Sequence, residues 1–92
     1  MKKIVIIGTS LCNPCKKSIA LAKSFIADRR QDVELESYNV DLGEISKEEA
    51  FKIAGGPFVN VPVIVVDGVN IGGFEDLRKI ILKEVELDES RS

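Results

Sequence analysis

The chain has 92 residues, a net charge of -2 and 45% hydrophobic content, which is enough for one domain and leaves no room for a second core. Lysines and carboxylates are interspersed, so no basic face is available for nucleic acid. The complete absence of histidine removes Cys-His and Ser-His-Asp catalytic centres. The apolar run Ile4–Ile7 is far too short for a membrane span or a signal-peptide core, so we expect a cytoplasmic protein with no membrane partner.

In chain order, residues 3–8 (KIVIIG) read as a short buried strand ended by Gly8. From Cys12 to about Asp28 the period becomes helical, with Cys15, Ser18, Ile19, Ala22, Phe25 and Ile26 on one stripe. The stretch DVELESYNVD has strand composition, anchored by Val33, Leu35, Tyr38 and Val40, although its alternation is imperfect. A second, short helix opens with a capping box, Ser46 and Glu49, and with Ile45 and Ala50 at staple spacing. Gly55 and Gly56 end it. A strand at 63–66, a turn at Asp67-Gly68 and a short strand near Val69–Ile71 follow. The last helix is expected from about Phe74 to Val85, with Phe74, Leu77, Ile80, Ile81 and Val85 on its apolar face and a frayed polar tail over 86–92. The order βαβ then αββα makes an α/β fold: one four-stranded mixed sheet covered by three helices.

Both cysteines lie in CNPC, at the turn from the first strand into the first helix. Three readings are open: a redox pair, half of a metal site, or two inert core residues. A structural zinc needs four ligands, and two thiols without imidazole supply only half of them, so a metal reading requires a dimer. In a reducing compartment a lone Cys-x-x-Cys pair is more often catalytic or metal-binding than structural. At the helix N-cap, the Cys12 sulfur would face unpaired N–H groups and the positive end of the dipole. Both favour thiolate and lower the Cys12 pKa below the free value of ~8.5. Cys15 falls one turn deeper. Pro14 is tolerated in the first turn, where no i−4 hydrogen bond is needed, and it stiffens the pair. This arrangement suits thiol–disulfide exchange: Cys12 attacks a disulfide, and Cys15 then attacks the Cys12 sulfur to release the reduced product.

CNPC on a strand-to-helix turn, Val61-Pro62 before a later strand, and IGGFEDL opening the last helix resemble, in that order and spacing, the glutaredoxins and related small redoxins of the thioredoxin fold. The likeness spans about residues 3–83. It implies a thioredoxin-like fold and a thiol-disulfide oxidoreductase with Cys12 as nucleophile, Cys15 as resolving thiol and Pro14 between them. It further implies that Pro62 is the cis-proline against the active pair, with the Val61 backbone turned towards an incoming peptide or glutathione. The plainer alternative is a trans proline that starts a strand. Gly72 and Gly73 match the diglycine that lets substrate approach the backbone; otherwise they are a turn. Glu75 and Asp76 occupy the pair that holds the γ-glutamyl end of glutathione, where the family usually has a hydroxyl residue followed by Asp. Alternatively they only favour the helix N-terminus, with Glu75 four residues before Lys79.

The site departs from the family pattern in three places. Asn13-Pro14 stands where glutaredoxins have Pro-Tyr, and proline beside the second cysteine is the thioredoxin arrangement. Leu11 occupies the position of the thioredoxin Trp. No basic residue lies in GPFVNVP to meet a glycyl carboxylate, and Lys16 and Lys52 are the nearest candidates. The resemblance implies no bound cofactor and glutathione as co-substrate, with thioredoxin reductase as the alternative reductant. It implies a monomer acting on disulfide-containing client proteins, ribonucleotide reductase among them. A metal- or iron–sulfur-bridged dimer through Cys12, and a redox-inactive adaptor, are the competing classes.

Overall fold

The computed structural model describes residues 2–29 and 32–91. Its elements are β1 (Lys3–Gly8), α1 (Asn13–Arg29), β2 (Glu34–Asn39), a single 3-10 turn (Val40–Leu42), α2 (Lys47–Ala54), β3 (Val63–Val66), β4 (Val69–Gly72) and α3 (Phe74–Arg91). The sheet order is β2-β1-β3-β4. β1 runs parallel to β2, whereas the β1–β3 and β3–β4 pairs are antiparallel. This is the thioredoxin-like sheet that the element order and the resemblance imply.

The uninterrupted apolar runs of β1 and β3 arise because the sheet is covered on both faces. With side chains alternating along a strand, Ile4 and Ile6 of β1 and Ile64 of β3 join Ala22, Phe25, Leu77 and Ile81 in one core beneath α1 and α3. Val5, Ile7, Val63 and Val65 point the other way and pack with Ile45, Ala50 and Ala54 beneath α2. Burial of each large aliphatic side chain contributes about 1.5–3 kcal/mol relative to exposure. The imperfect alternation of β2 has the same origin. Val33 and Leu35 feed the α1/α3 core, whereas Tyr38 and Val40 feed the α2 core.

β2 is shorter than its composition suggests. After Asn39 the chain closes on itself: Gly43 donates its N–H to Val40 O, Glu44 donates to Asn39 O, and the Glu44 carboxylate accepts the Asn39 N–H at 2.8 Å. Those local bonds replace the ladder, so Val40 and Asp41 belong to the 3-10 turn.

α2 starts at Ser46, whose hydroxyl accepts the Glu49 N–H at 3.1 Å, with Ile45 and Ala50 both buried beside it. Its C-terminus is closed by two bonds, Gly55 N–H to Lys52 O and Gly56 N–H to Phe51 O, the Schellman arrangement that the paired glycines predict. At the β3–β4 turn, Asp67 and Gly68 both have positive φ. The Asp67 carboxylate also accepts the N–H groups of Lys2 and Lys3, at 2.7 and 2.8 Å, which pins the start of β1 to the hairpin. α3 continues to Arg91, six residues beyond the end expected at Val85, so residues 86–91 of the expected frayed tail are helical; Ser92 lies outside the described residues.

Candidate active site

The topology brings four chain segments to one end of the sheet. Gly8 ends β1 opposite Asn39 of β2, so the turn after β1 and the turn after β2 are neighbours. Ile7 pairs with Val63, which places Pro62 beside the same end of β1. Ile64 pairs with Gly72, which brings the start of α3 to Pro62. A Cβ on Gly73 would lie 3.7 Å from the Pro62 carbonyl oxygen.

Cys12 caps α1. Its carbonyl accepts the Lys16 N–H at 3.2 Å, the first helical bond, and its sulfur accepts the Cys15 N–H at 3.1 Å. The cap residue of this helix is therefore a cysteine where Ser, Thr, Asp or Asn is usual. No acidic residue lies in the first turn of α1, so nothing there offsets the dipole before it reaches the sulfur. Cys12 and Cys15 form a disulfide, with Cα atoms 5.2 Å apart. Cys12 is half-buried, while Cys15 is only 2% exposed, so an incoming group meets Cys12 first. Pro14 is exposed, and its carbonyl accepts the hydroxyl of Ser18 at 2.7 Å; that bond satisfies the one fully buried polar side chain of the helix stripe.

Gly8 does more than end a strand. A Cβ there would collide with Cys15 Sγ and sit 2.9 Å from Cys15 Cβ, so Cys15 occupies space that any other residue at position 8 would fill. The sequence marks this glycine only as a terminator.

The bond between Val61 and Pro62 is cis. Gly72 has φ +110, a conformation open mainly to glycine, and a Cβ on it would clash with the Asp76 carboxylate, whose Cγ would be 2.9 Å away. Asp76 reaches back to the Gly73 N–H at 3.0 Å, and Leu77 N–H bonds Gly73 O at 3.1 Å, so Gly73 is the cap of α3 and Asp76 satisfies it. Glu75 pairs with Arg78 Nε at 3.2 Å rather than with Lys79. Phe74, read as core from its periodicity, is half-buried and belongs to neither core cluster.

Beside the reactive turn lies an open groove of about 450 Å³ lined by Thr9, Val40, Phe51, Phe58, Val59 and Val61. The rings of Phe51 and Phe58 meet edge to face with centroids 5.0 Å apart. Leu11 and Val59 stand almost wholly in solvent, at 90% and 96% exposure. Lys47 also lines the groove, the cation that inspection of GPFVNVP did not supply; Lys16 and Lys52 do not line it.

Three features near this site carry no local sequence signal. One is the groove itself. Another is Asn70, whose amide donates to Ala54 O at 3.0 Å and whose oxygen accepts the Gly72 N–H, holding the irregular end of β4. The third is Asp41, which receives both the N–H and the hydroxyl of Ser10. The Ser10 hydroxyl is the main cause holding the Asp41 carboxyl below its ordinary value of 3.8. Among the described residues, no group of three or more His, Cys, Asp or Glu side chains could hold a metal ion, and no helix is long and apolar enough to cross a membrane.

No family model matches the chain. Glutaredoxin 1 of Escherichia coli is 35% identical to it over 72 residues, covering 78% of this chain and 84% of that protein, and glutaredoxin 1 of Shigella flexneri matches to the same extent. The solution structure of reduced Escherichia coli glutaredoxin superposes with a TM-score of 0.74 at 30% identity, over 91% of this chain and 98% of the other. The oxidised form of that protein gives a TM-score of 0.67 at 32% identity, over 86% and 92%. With a redox disulfide capping the first helix of a thioredoxin-like sheet, and with these relatives, the chain belongs to the glutaredoxin family of thiol-disulfide oxidoreductases.

Proposed function

We propose that this oxidoreductase reduces mixed disulfides of proteins and of glutathione, with Cys12 as the attacking sulfur and Cys15 as the resolving one. The observation that carries the reading is the position of Cys12, at a helix N-terminus and beside an apolar groove. In the forward step the Cys12 thiolate attacks one sulfur of the client disulfide, a new S–S bond forms, and the second client sulfur leaves as a thiolate. The Cys15 thiolate then attacks Cys12 Sγ. That step closes the intramolecular disulfide and releases the other client thiol.

The groove favours polypeptide clients. Phe51, Phe58, Val59 and Val61 offer apolar contact area next to the reacting sulfur, and Leu11 and Val59 project where a client chain would arrive. Val61, Pro62, Gly72 and Gly73 lie at the same end of the sheet and form the backbone surface along which such a chain would extend. Among clients we place ribonucleotide reductase, and we place the protein in the cytoplasm as a monomer.

Glutathione is the reductant we assign, without a bound cofactor. Lys47 supports that assignment as a partner for a substrate carboxylate, whereas Glu75, exposed and tied to Arg78, opposes a second carboxylate at the start of α3. Charging by thioredoxin reductase is the second reading, supported by the proline next to Cys15 and by Glu75. The test follows NADPH oxidation with the disulfide form as substrate, in parallel with glutathione plus glutathione reductase and with thioredoxin reductase alone. Turnover with glutathione is the expected result. Turnover only with thioredoxin reductase replaces the first reading by the second, and silence in both removes the redox assignment.

A further inference from the structure

The four residues between β1 and α1 carry the nucleophile, yet little within them holds their shape. Among the described residues, the only backbone bond closing this turn is Cys12 N–H to Thr9 O, at 3.4 Å, near the outer limit of useful geometry. Packing contributes little at Leu11, which is 90% exposed. What grips the turn comes from elsewhere in the chain. Asp41 Oδ1 accepts the Ser10 N–H at 3.0 Å, and Asp41 Oδ2 accepts the Ser10 hydroxyl at 2.5 Å. Both are hydrogen bonds to an ionised acceptor, the stronger class.

Asp41 is itself well anchored. It sits in the 3-10 turn that follows β2, closed by Gly43 N–H to Val40 O, and Val40 packs against the α2 core. The parallel register sets Asn39 beside Gly8, so the two turns leave adjacent strands side by side. We propose that Asp41 is a positioning residue for thiol–disulfide exchange: by clamping Ser10 with both carboxylate oxygens it fixes the start of α1, and with it the seat of Cys12 Sγ over the Cys15 N–H.

A carboxylate near a thiolate acts in two opposed ways. As a charge it repels the thiolate and raises the Cys12 pKa. As a clamp it keeps the sulfur aligned with the helix N-terminus and lowers that pKa. The clamp is the dominant role here, because both carboxylate oxygens are directed at Ser10, two residues before the sulfur.

The proposal rests on Cys12 being the attacking sulfur. Its test therefore reads the reduced protein directly, by the rate of iodoacetamide alkylation as a function of pH, with mass spectrometry to identify the sulfur modified. Asp41→Ala should raise the pH midpoint of Cys12 alkylation and lower client turnover by on the order of tenfold to a hundredfold, the range for a displaced reacting group. Asp41→Asn, which keeps an acceptor and loses the charge, should fall between it and the parent. Ser10→Ala should move both readouts in the same direction as Asp41→Ala, and in the double variant the effects should not add. Thermal unfolding of each variant identifies one that has lost its fold; Ser10→Ala then decides alone. A lowered midpoint in Asp41→Ala, unchanged kinetics in folded Ser10→Ala, or additive effects would overturn the proposal. Alkylation on Cys15 instead would refute the assignment of the nucleophile and not the clamp.

Discussion

Two helices begin at the same end of the sheet, and they treat their N-termini in opposite ways. α3 carries Glu75 and Asp76 in its first turn, and the Asp76 carboxylate closes the cap on Gly73 N–H. α1 has no acid in its first turn, and its cap is the sulfur of Cys12. α2, on the other face, follows the pattern of α3, with a Ser46 cap and with Glu48 and Glu49 behind it. Two of the three helices neutralise their positive ends with carboxylates, as stability favours. The third leaves that end to the sulfur of Cys12. The difference locates the chemistry as clearly as the cysteines do, since a structural cap gains nothing from sulfur.

The comparison is tested most severely at the sulfur itself. Cys12→Ser should abolish client turnover, because the cap would be restored and the nucleophile lost; residual activity in that variant would contradict the mechanism. Cys15→Ser should leave attack intact and accumulate the mixed disulfide, detectable as an added client mass.

A smaller but still large effect is expected at Gly8. In Gly8→Ala the new methyl group must displace Cys15, whose Cβ lies 2.9 Å from the ideal position. Overpacking of this kind costs about 1–3 kcal/mol, readable as a denaturant midpoint lower in the variant than in the parent. An unchanged midpoint would show that Cys15 has room to move.

Asn13→Asp places in α1 the kind of acid that α3 carries. The dipole interaction that it would compensate is worth roughly 0.3–1 kcal/mol, so Cys12 should become a few-fold less reactive near neutral pH, while the helix itself is not weakened. Faster alkylation in Asn13→Asp would remove the electrostatic account.

The smallest effect lies at the opposite end of the sheet. Asp67 is held below its ordinary value of 3.8 by the N–H groups of Lys2 and then Lys3, and Asp41 is lowered by Ser10. Depressed carboxyl pKa values stabilise the fold fully above the ordinary value, and that stabilisation disappears as pH falls through the lower folded value. Unfolding midpoints should therefore decline below about pH 4, and Asp67→Asn should make that acid limb shallower. An identical limb in the variant would show that Asp67 takes no part in it.

Much of this was readable from residue order. β1 and β3 announce themselves as apolar runs, and the stripe from Cys15 to Ile26 defines α1 because tertiary packing uses the same period that the helix imposes. Cys12 is recognisable as a cap because it follows a strand-ending glycine and precedes a helical stripe. The missing pieces are contacts between segments far apart in the chain. Ser10 and Asp41 are separated by 31 residues and meet only through the parallel register of β1 and β2. Asn70 reaches Ala54 across 16 residues, and the groove needs α2, the Pro57–Val61 segment and Thr9 together. No local period encodes such meetings. The end of α3 is not marked in the sequence for a different reason: its apolar stripe stops at Val85, while the helical backbone continues to Arg91.

The most direct test of the central claim is a thiolate titration of the reduced Cys15→Ser chain, in which Cys12 is the sole thiol, by ultraviolet absorbance. The account predicts a midpoint clearly below the free-cysteine value of ~8.5, moving upward in the same chain carrying Asn13→Asp. A midpoint at or above that value, or one that Asn13→Asp leaves in place, would contradict it.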